Sequence, residues 1–156
     1  MARRYGRAPR GKRVDGPVPH GHWKVLTLTA AIRLDGVGGC LAFDGATNAV
    51  TFEAYVEHVL APTLRPGDIV VMDNLAAHKG PEVERLIVAA GAEVRYLPAY
   101  SPDLNPIEKM FSKLKTSLRK AAARTVDRLH GAIGDALRSV THQDIAGWFR
   151  SCGYST

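Results

Sequence analysis

The fold is decided by a stretch near the middle of the chain, which reads from residue 68 to residue 97 DIVVMDNLAAHKGPEVERLIVAAGAEVRYL. Its early residues IVVM form a short apolar run that predicts a strand buried on both faces. Pro81 opens an amphipathic helix and Gly91 closes it, because proline suits a first helical turn and glycine the position after the last. A second strand follows at residues 93–97. The order strand, helix, strand predicts a parallel pair.

Upstream of this stretch the pattern predicts a β-hairpin and a helix. Residues 23–33 and 37–43 are rich in strand formers, and Asp35-Gly36 between them is a hairpin-turn signal. Asn48 is a suitable N-cap for a helix whose apolar residues recur at helical spacing up to Leu60.

Downstream, a Pro-rich loop from Pro98 to Pro106 precedes three predicted helices. The first runs from Pro106 to about Ala123, Thr125 caps the second, and the third is short. The whole order predicts an α/β fold, a mixed sheet with helices on both faces.

Composition narrows the class of function. The chain has 156 residues with a net charge of +6 and a pI of about 9.6, which favours a polyanionic partner such as nucleic acid. Its two cysteines lie outside any CxxC or Cys/His cluster, which argues against a zinc site. No apolar run is long enough to span a membrane and none follows the basic N-terminus as in a secretory signal, so a cytoplasmic protein is expected.

Two acids stand at positions suited to chemistry. Asp73 follows the central strand, and ligands of open α/β sheets bind at the carboxyl ends of strands; equally, Asp73-Asn74 could simply start a turn. Glu108 falls in the first turn after Asn105 and Pro106, where a capping box explains it without catalysis. The face Glu108, Ser112, Lys115 and Arg119 fits either a metal-binding acid beside a DNA path or a solvated basic face.

Two stretches carry a family resemblance: MDNLAAHK (Met72–Lys79) and YLPAYSPDLNPIEKMFSKLK (Tyr96–Lys115). They resemble the catalytic domain of mariner-like DDE transposases, in the branch carried by bacterial insertion sequences. Asp73 matches the second catalytic Asp of that family, and Glu108 matches the closing Glu of its motif. Between them lie 34 residues, the spacing of that branch. Residues 3–14, RRYGRAPRGKRV, look like the loop after the first strand of the family.

The resemblance implies an RNase H-like fold and a specific chemistry. The expected activity is Mg²⁺-dependent cleavage of transposon ends and transfer of the freed 3′-hydroxyl into target DNA. Two ions, with Mn²⁺ as an alternative, would be bound by carboxylates, because hard cations prefer oxygen ligands. Asp73 and Glu108 are the expected catalytic and metal residues, with Asn74 and His78 supporting them. The expected DNA-binding residues are Arg7, Arg10, Lys12, Arg13, Lys113, Lys115 and Arg119.

The chain departs from the family at its beginning. The first catalytic Asp of the family lies on a first strand, and neither Asp15, Asp35, Asp44 nor Asp103 has a strand-like setting that would replace it. The expectation is therefore an N-terminally truncated chain: a basic irregular arm at residues 1–20, the loop after a missing first strand, and a catalytic domain at residues 21–156. An unpaired central edge would invite self-association or mixed assembly with a full-length transposase.

Three functions remain open. The first is a transposase catalytic domain that is incomplete without its first Asp, so that enzymatic activity is undecided. The second is a non-enzymatic DNA-binding remnant that interferes with a full-length transposase. The third, a receiver-like signalling domain with Asp73 as phosphoacceptor, leaves the motif from Tyr100 to Glu108 unexplained.

Overall fold

The computed structural model describes residues 6–16 and 24–155. The first residue of the expected hairpin, residue 23, and much of the basic arm (residues 1–5 and 17–20) lie outside them. Short turns of π-helix (Val56–Leu60) and 3₁₀-helix (Ala61–Thr63, Ala76–His78, Pro102–Leu104) join the main elements. In chain order these are β1 (Leu26–Arg33), β2 (Gly36–Asp44), α1 (Ala49–Tyr55), β3 (Ile69–Met72), α2 (Pro81–Ala89), β4 (Glu93–Tyr96), α3 (Pro106–Ala121), α4 (Val126–Arg138) and α5 (His142–Ser151).

The chain divides into two compact units. The larger comprises Lys24–Met110 and Val140–Thr156, and the smaller comprises Met1–Trp23 and Phe111–Ser139. The division of the chain at residue 20 that the sequence suggests stays a prediction.

The hairpin of the larger unit forms as expected, with its turn one residue earlier. β1 and β2 pair antiparallel, and Arg33 is already paired with Gly36. The two-residue turn is therefore Leu34–Asp35, and Gly36, at φ 156°, belongs to the second strand.

The strand–helix–strand unit at residues 69–96 confirms the expected parallel pairing. β3 and β4 run parallel, from Ile69 beside Glu93 to Met72 beside Tyr96. The expectation that β3 is buried on both faces is wrong: Ile69 is 59% exposed and Val71 is 38% exposed. Side chains alternate along a strand, so Val70 and Met72 face the core while Ile69 and Val71 occupy the other face.

The four described strands form two separate two-stranded sheets, β1 with β2 and β3 with β4. Side chains tie the end of β1 to the start of β3. The guanidinium of Arg33 donates to both carboxylate oxygens of Asp68, at 2.8 and 2.9 Å, and to the carbonyl of Thr63 at 3.1 Å. Arg65 donates to Asp35 at 3.0 Å. Two hydrogen bonds from one guanidinium to one carboxylate fix the relative orientation of the two groups as well as the distance between them.

The core of the larger unit lies between α1, its π-turn, β3 and α2. The Tyr55 hydroxyl donates to the carbonyl of Gly39 at 2.9 Å, which ties the helix to β2. A Cβ on Gly39 would lie 2.7 Å from the carbonyl oxygen of Val59, so only glycine allows this approach. The core residues are Phe52, Tyr55, Val56, Leu60, Met72, Val83, Ile87 and Ala92.

The loop between β4 and α3 and the helix α5 complete the larger unit. Tyr100 is fully exposed and adopts the left-handed conformation, with φ 58°. The Tyr154 hydroxyl donates to the carbonyl of Leu104 at 2.9 Å. Thr141 and Asp144 form a capping box at the start of α5, and Ile145 is fully buried.

The smaller unit contains α4 and the later part of α3. α3 ends at Ala121, two residues before the expected end, because Ala122 turns to φ 48°. Thr125 caps α4 as expected, accepting from the Arg128 N–H at 3.2 Å, and Lys113 donates to the carbonyl of Ser139 at 3.0 Å. In the described part of the chain no helix is both long and apolar enough to cross a membrane.

Candidate active site

Asp73 stands directly after β3, and its two carboxylate oxygens have different surroundings. Oδ1 accepts the Leu75 N–H at 3.3 Å and lies 2.6 Å from Nδ1 of His78. Among the described residues, Oδ2 has no hydrogen-bonding or ionic partner. The side chain is 41% exposed. A ligand can therefore reach the unengaged oxygen.

His78 lies at the end of the short 3₁₀ turn that follows Asp73. Its side chain is 18% exposed, and its ring lies against Phe52 with 4.0 Å between centroids and 32° between planes. The Tyr96 hydroxyl donates to the backbone carbonyl of His78 at 3.2 Å. Burial, and to a lesser degree the Glu84 carboxylate, raises the pKa of Tyr96, so the phenol keeps the hydrogen that it donates.

The contact between His78 and Asp73 is short but not aligned like a regular hydrogen bond. Nδ1 is buried and lacks a partner in standard hydrogen-bond geometry, although Oδ1 of Asp73 is 2.6 Å away. The two side chains are therefore in close contact without forming a regular hydrogen bond.

Glu108 occupies the first turn of α3 and is exposed. The capping box that would explain it without chemistry is not formed: the Asn105 N–H donates to Pro102, and the Glu108 N–H donates to the backbone carbonyl of Asn105. The Glu108 carboxylate makes no hydrogen bond or ion pair with the described residues. The structural role that remains for Glu108 is the favourable interaction of its negative charge with the positive N-terminal end of the helix dipole.

The supporting residues expected around Asp73 differ in their placement. His78 contacts it, whereas Asn74 is exposed and forms no hydrogen bond with it. Within residues 6–16 and 24–155, no group of three or more His, Cys, Asp or Glu side chains is arranged to hold a metal ion. The Glu108 carboxylate and Oδ2 of Asp73 are hard oxygen donors without a partner among the described residues, so they suit Mg²⁺ in kind, but two acids fall short of a full ligand set.

The basic residues that the sequence suggests for DNA binding are solvent-accessible. Arg7, Arg10, Lys12 and Arg13 are exposed, and Arg13 lies 3.7 Å from Asp15. In α3, Lys115 and Arg119 are exposed, while Lys113 is partly buried by its bond to Ser139. Of these residues, Arg7, Arg10, Lys12, Lys115 and Arg119 are exposed and have no recorded partner among the described residues, so their charges are available to phosphate groups.

Comparison with known proteins decides the family. The family model described as DDE superfamily endonuclease matches residues 1–130. The chain belongs to this family. No curated protein matches the sequence.

Solved structures of Mos1 transposase are similar to this DDE endonuclease chain. The Mos1 mariner paired-end complex with Mn is 17% identical, with a TM-score of 0.73 over 97% of this chain and 47% of that one. The Mos1 strand transfer complex is 17% identical, with a TM-score of 0.71 over 97% of this chain and 46% of that one. The catalytic domain of Mos1 mariner transposase is 19% identical, with a TM-score of 0.62 over 80% of this chain and 66% of that one. The expected RNase H-like α/β fold is thereby confirmed, and the chain spans just under half the length of the transposase in the two complexes.

One residue of this site was missed by sequence reasoning. Phe52 lies on α1, and its spacing with Tyr55 and Val56 marks it only as a core residue. Its contact with His78 joins elements distant in the sequence. No local pattern could have shown that contact.

Proposed function

We propose that the chain is the catalytic domain of a DNA transposase that cleaves transposon ends in the presence of Mg²⁺ and joins the freed 3′-hydroxyl to target DNA. The observation that carries the proposal is the pair Asp73 and Glu108. Each carboxylate has an oxygen without a partner among the described residues, in a chain that belongs to the DDE superfamily endonucleases.

The roles of the two acids follow from their positions. Asp73 is held by the strand end and by the Leu75 N–H, so it can present an oxygen in a fixed direction. Glu108, at the start of α3, can turn toward a ligand because nothing described restrains its carboxylate. When bound, a divalent ion would stabilise the charge that develops on the attacking and leaving oxygens of the phosphodiester.

DNA is the proposed partner because positive charge is concentrated in one segment. Residues 111–139 contain seven Lys and Arg but only two Asp and Glu. Phosphate contacts of this kind supply affinity with little sequence preference. One solved structure similar to this chain is a Mos1 transposase paired-end complex with the left transposon end, which supports the same class of partner here. An assembly with a second copy or with a longer transposase is also proposed.

A second candidate is a DNA-binding protein without catalysis, which would interfere with an active transposase by mixed assembly. One observation favours it: no group of three possible metal ligands is gathered in the described ranges. Under this proposal the chain binds DNA as tightly as the first candidate would, while cleavage is absent.

Single-turnover cleavage of a pre-nicked duplex, taken from the DNA that flanks the reading frame, separates the two candidates. The first predicts products in Mg²⁺ or Mn²⁺ that disappear in Asp73→Asn and in Glu108→Gln. Asp44→Asn, which changes an exposed acid at the end of β2, is the matched control and should cleave like the unaltered chain. Because the described acids are one short of a full set, we expect slow cleavage. Binding with no cleavage in either ion would favour the second candidate.

A further inference from the structure

The two sheets of the larger unit cover one hydrophobic core. Ala31 and Leu41 of the hairpin pack against the core cluster, and so do Val70 and Val94 of the parallel pair. Backbone pairing nevertheless stops within each sheet: β1 is joined to β2 and β3 to β4, and in the described part of the chain no ladder joins the two pairs. The sheet that covers this core is therefore interrupted.

The interruption lies between β1 and β3. The guanidinium of Arg33, at the end of β1, donates to both carboxylate oxygens of Asp68, which directly precedes β3. Because these two residues meet through the tips of their side chains, their backbones stand further apart than the about 4.8 Å between paired strands. β1 is thus the hairpin strand next to β3, and it lies beyond hydrogen-bonding reach of it.

Alternation along β3 shows which of its backbone groups are unpaired. The carbonyls of Asp68 and Met72 accept N–H groups from the chain that forms β4, each at 2.8 Å, and the parallel register gives Val70 the same orientation. The N–H and C=O groups of Ile69 and Val71 therefore point to the opposite edge, away from β4.

The outer edge of β1 is unpaired in the same way. The carbonyl of Val25 accepts the Gly45 N–H at 2.8 Å, and the register continues from there, so residues 25, 27 and 29 are directed at β2. The N–H and C=O groups of Leu28 and Ala30 consequently point away from β2. The space between the two edges, bounded by residues 26–30 and 69–73, is the interstrand slot.

The side chains beside the interstrand slot define what fits into it. Ala31 and Val70 face the core, while Ile69 and Val71, on the other face of β3, are 59% and 38% exposed. Unpaired donors and acceptors at strand spacing are matched by another extended backbone. A strand inserted here would lie among apolar side chains on both faces, so it must itself be uncharged and apolar on both faces.

We propose that the interstrand slot binds one extended segment of another polypeptide, uncharged and apolar on both faces, which pairs with β1 and β3 together and joins the two sheets into one. Such a segment gains backbone hydrogen bonds along both of its edges, whereas a strand added to an ordinary sheet edge gains them along one. The inference goes beyond the proposed function, because it requires neither DNA nor a cation.

Amide hydrogen exchange of the full chain, followed by NMR, tests the interstrand slot. In the chain alone, the amides of Leu28, Ala30, Ile69 and Val71 should exchange at least about 10-fold faster than that of Val70, which is bonded to β4. The probe is the synthetic peptide Lys-Lys-Val-Ile-Val-Ile-Val-Lys-Lys, which at saturation should slow all four by at least about 10-fold. The same peptide with its central Val replaced by Pro lacks an N–H and should protect none of them.

The affinity of the same peptide for two variants tests the apolar character of the slot. Ile69→Lys places a charge beside it and should weaken binding about 10-fold, because that charge would border a buried apolar strand. Val88→Lys, at a position on α2 that is 57% exposed, is the matched control and should stay within about twofold. Fluorescence anisotropy of labelled peptide measures both affinities, and urea denaturation shows whether both variants remain folded.

Four results would refute the proposal. One is the absence of protection by the peptide, and another is equal protection by the peptide that contains Pro. Protection of Ile69 and Val71 without Leu28 and Ala30 would mean that the peptide adds to a single edge. Protection that appears in the chain alone and rises with its concentration would mean that a second copy occupies the slot.

Discussion

Residues 49–97 and residues 111–139 differ in charge and in packing. The first segment has seven Asp and Glu against four Lys and Arg, and the second has seven Lys and Arg against two Asp and Glu. The first also supplies the whole hydrophobic core cluster of the larger unit, whereas in the second the buried residues are Leu114, Leu118, Ile133 and Ala136. The chain thus separates its packed, acidic segment from its basic one.

The difference reflects what each proposed task requires. A carboxylate that binds a cation must point in a fixed direction, and Asp73 gains that from a strand end and from neighbours seated on a core. Binding to phosphates depends mainly on the number of accessible cations, which a helical surface such as that around Lys115 provides with little core.

The largest effect is expected from the core of the acidic segment. Ile87→Ala removes a fully buried side chain of α2 and should lower the free energy of unfolding by about 3–4 kcal/mol, through lost burial and a cavity. Urea denaturation measures it. Val88→Ala, one residue later and well exposed, should change it by less than about 0.5 kcal/mol. Equal losses at both positions would contradict the described packing.

The basic segment should instead respond in DNA affinity. The double change Lys115→Ala with Arg119→Ala should weaken binding about 10–30-fold near 0.1 M salt and reduce the slope of log affinity against log salt by about 1.8. Fluorescence anisotropy on a random duplex is the measurement. Arg85→Ala, the loss of a positive charge paired with Glu82 in the acidic segment, is the control and should leave the slope unchanged. If the slope fell equally in Arg85→Ala, the acidic and basic segments would not differ in their contribution to DNA binding.

The ion pair between Arg33 and Asp68 should make the free energy of unfolding decrease at acid pH. The N–H of Arg65, and then the Arg33 guanidinium, lower the pKa of Asp68. A lowered pKa stabilises the folded chain above the ordinary Asp value, and this stability is lost as the pH falls through the folded pKa. Asp68→Asn should therefore cost about 1–2 kcal/mol at pH 7.

The same variant should also flatten the decline in stability between about pH 5 and pH 2, the window below the ordinary Asp pKa. Denaturation at stepped pH checks the shape. Asp127→Asn, an exposed acid in the first turn of α4, is the comparison and should keep the decline. If stability declined at acid pH in Asp68→Asn as it does in the unaltered chain, the protonation of Asp68 would not be the cause of the decline.

The smallest effect concerns a cap in the basic segment. Thr125→Ala removes the side chain that accepts the Arg128 N–H at the start of α4 and should lower stability by about 1 kcal/mol. Thr125→Ser keeps the hydroxyl and should restore most of it. Thermal denaturation of both variants measures the difference, and an Ala variant as stable as the Ser variant would show that the cap does not stabilise the helix.

Local rules predict much of this fold. The cap at Thr125, Pro81 at a first turn and the parallel pairing around α2 are confirmed because neighbours in sequence determine them. Exposure of Ile69 was not predictable, since it depends on what covers the second face of β3. The Arg33–Asp68 pair, 35 residues apart, and the Phe52–His78 contact arise only once the chain has folded. Asp73 and Glu108 remain predictions as metal ligands.

Tyr100 has a practical consequence. It is fully exposed in a left-handed conformation that an aromatic side chain adopts only at a cost of about 1 kcal/mol. Exposed loop tips are preferred sites of proteolysis, and an aromatic residue is what chymotrypsin selects. A cut after Tyr100 would leave Asp73 and Glu108 on different fragments, so brief digestion provides two separable pieces, each carrying one of the two acids.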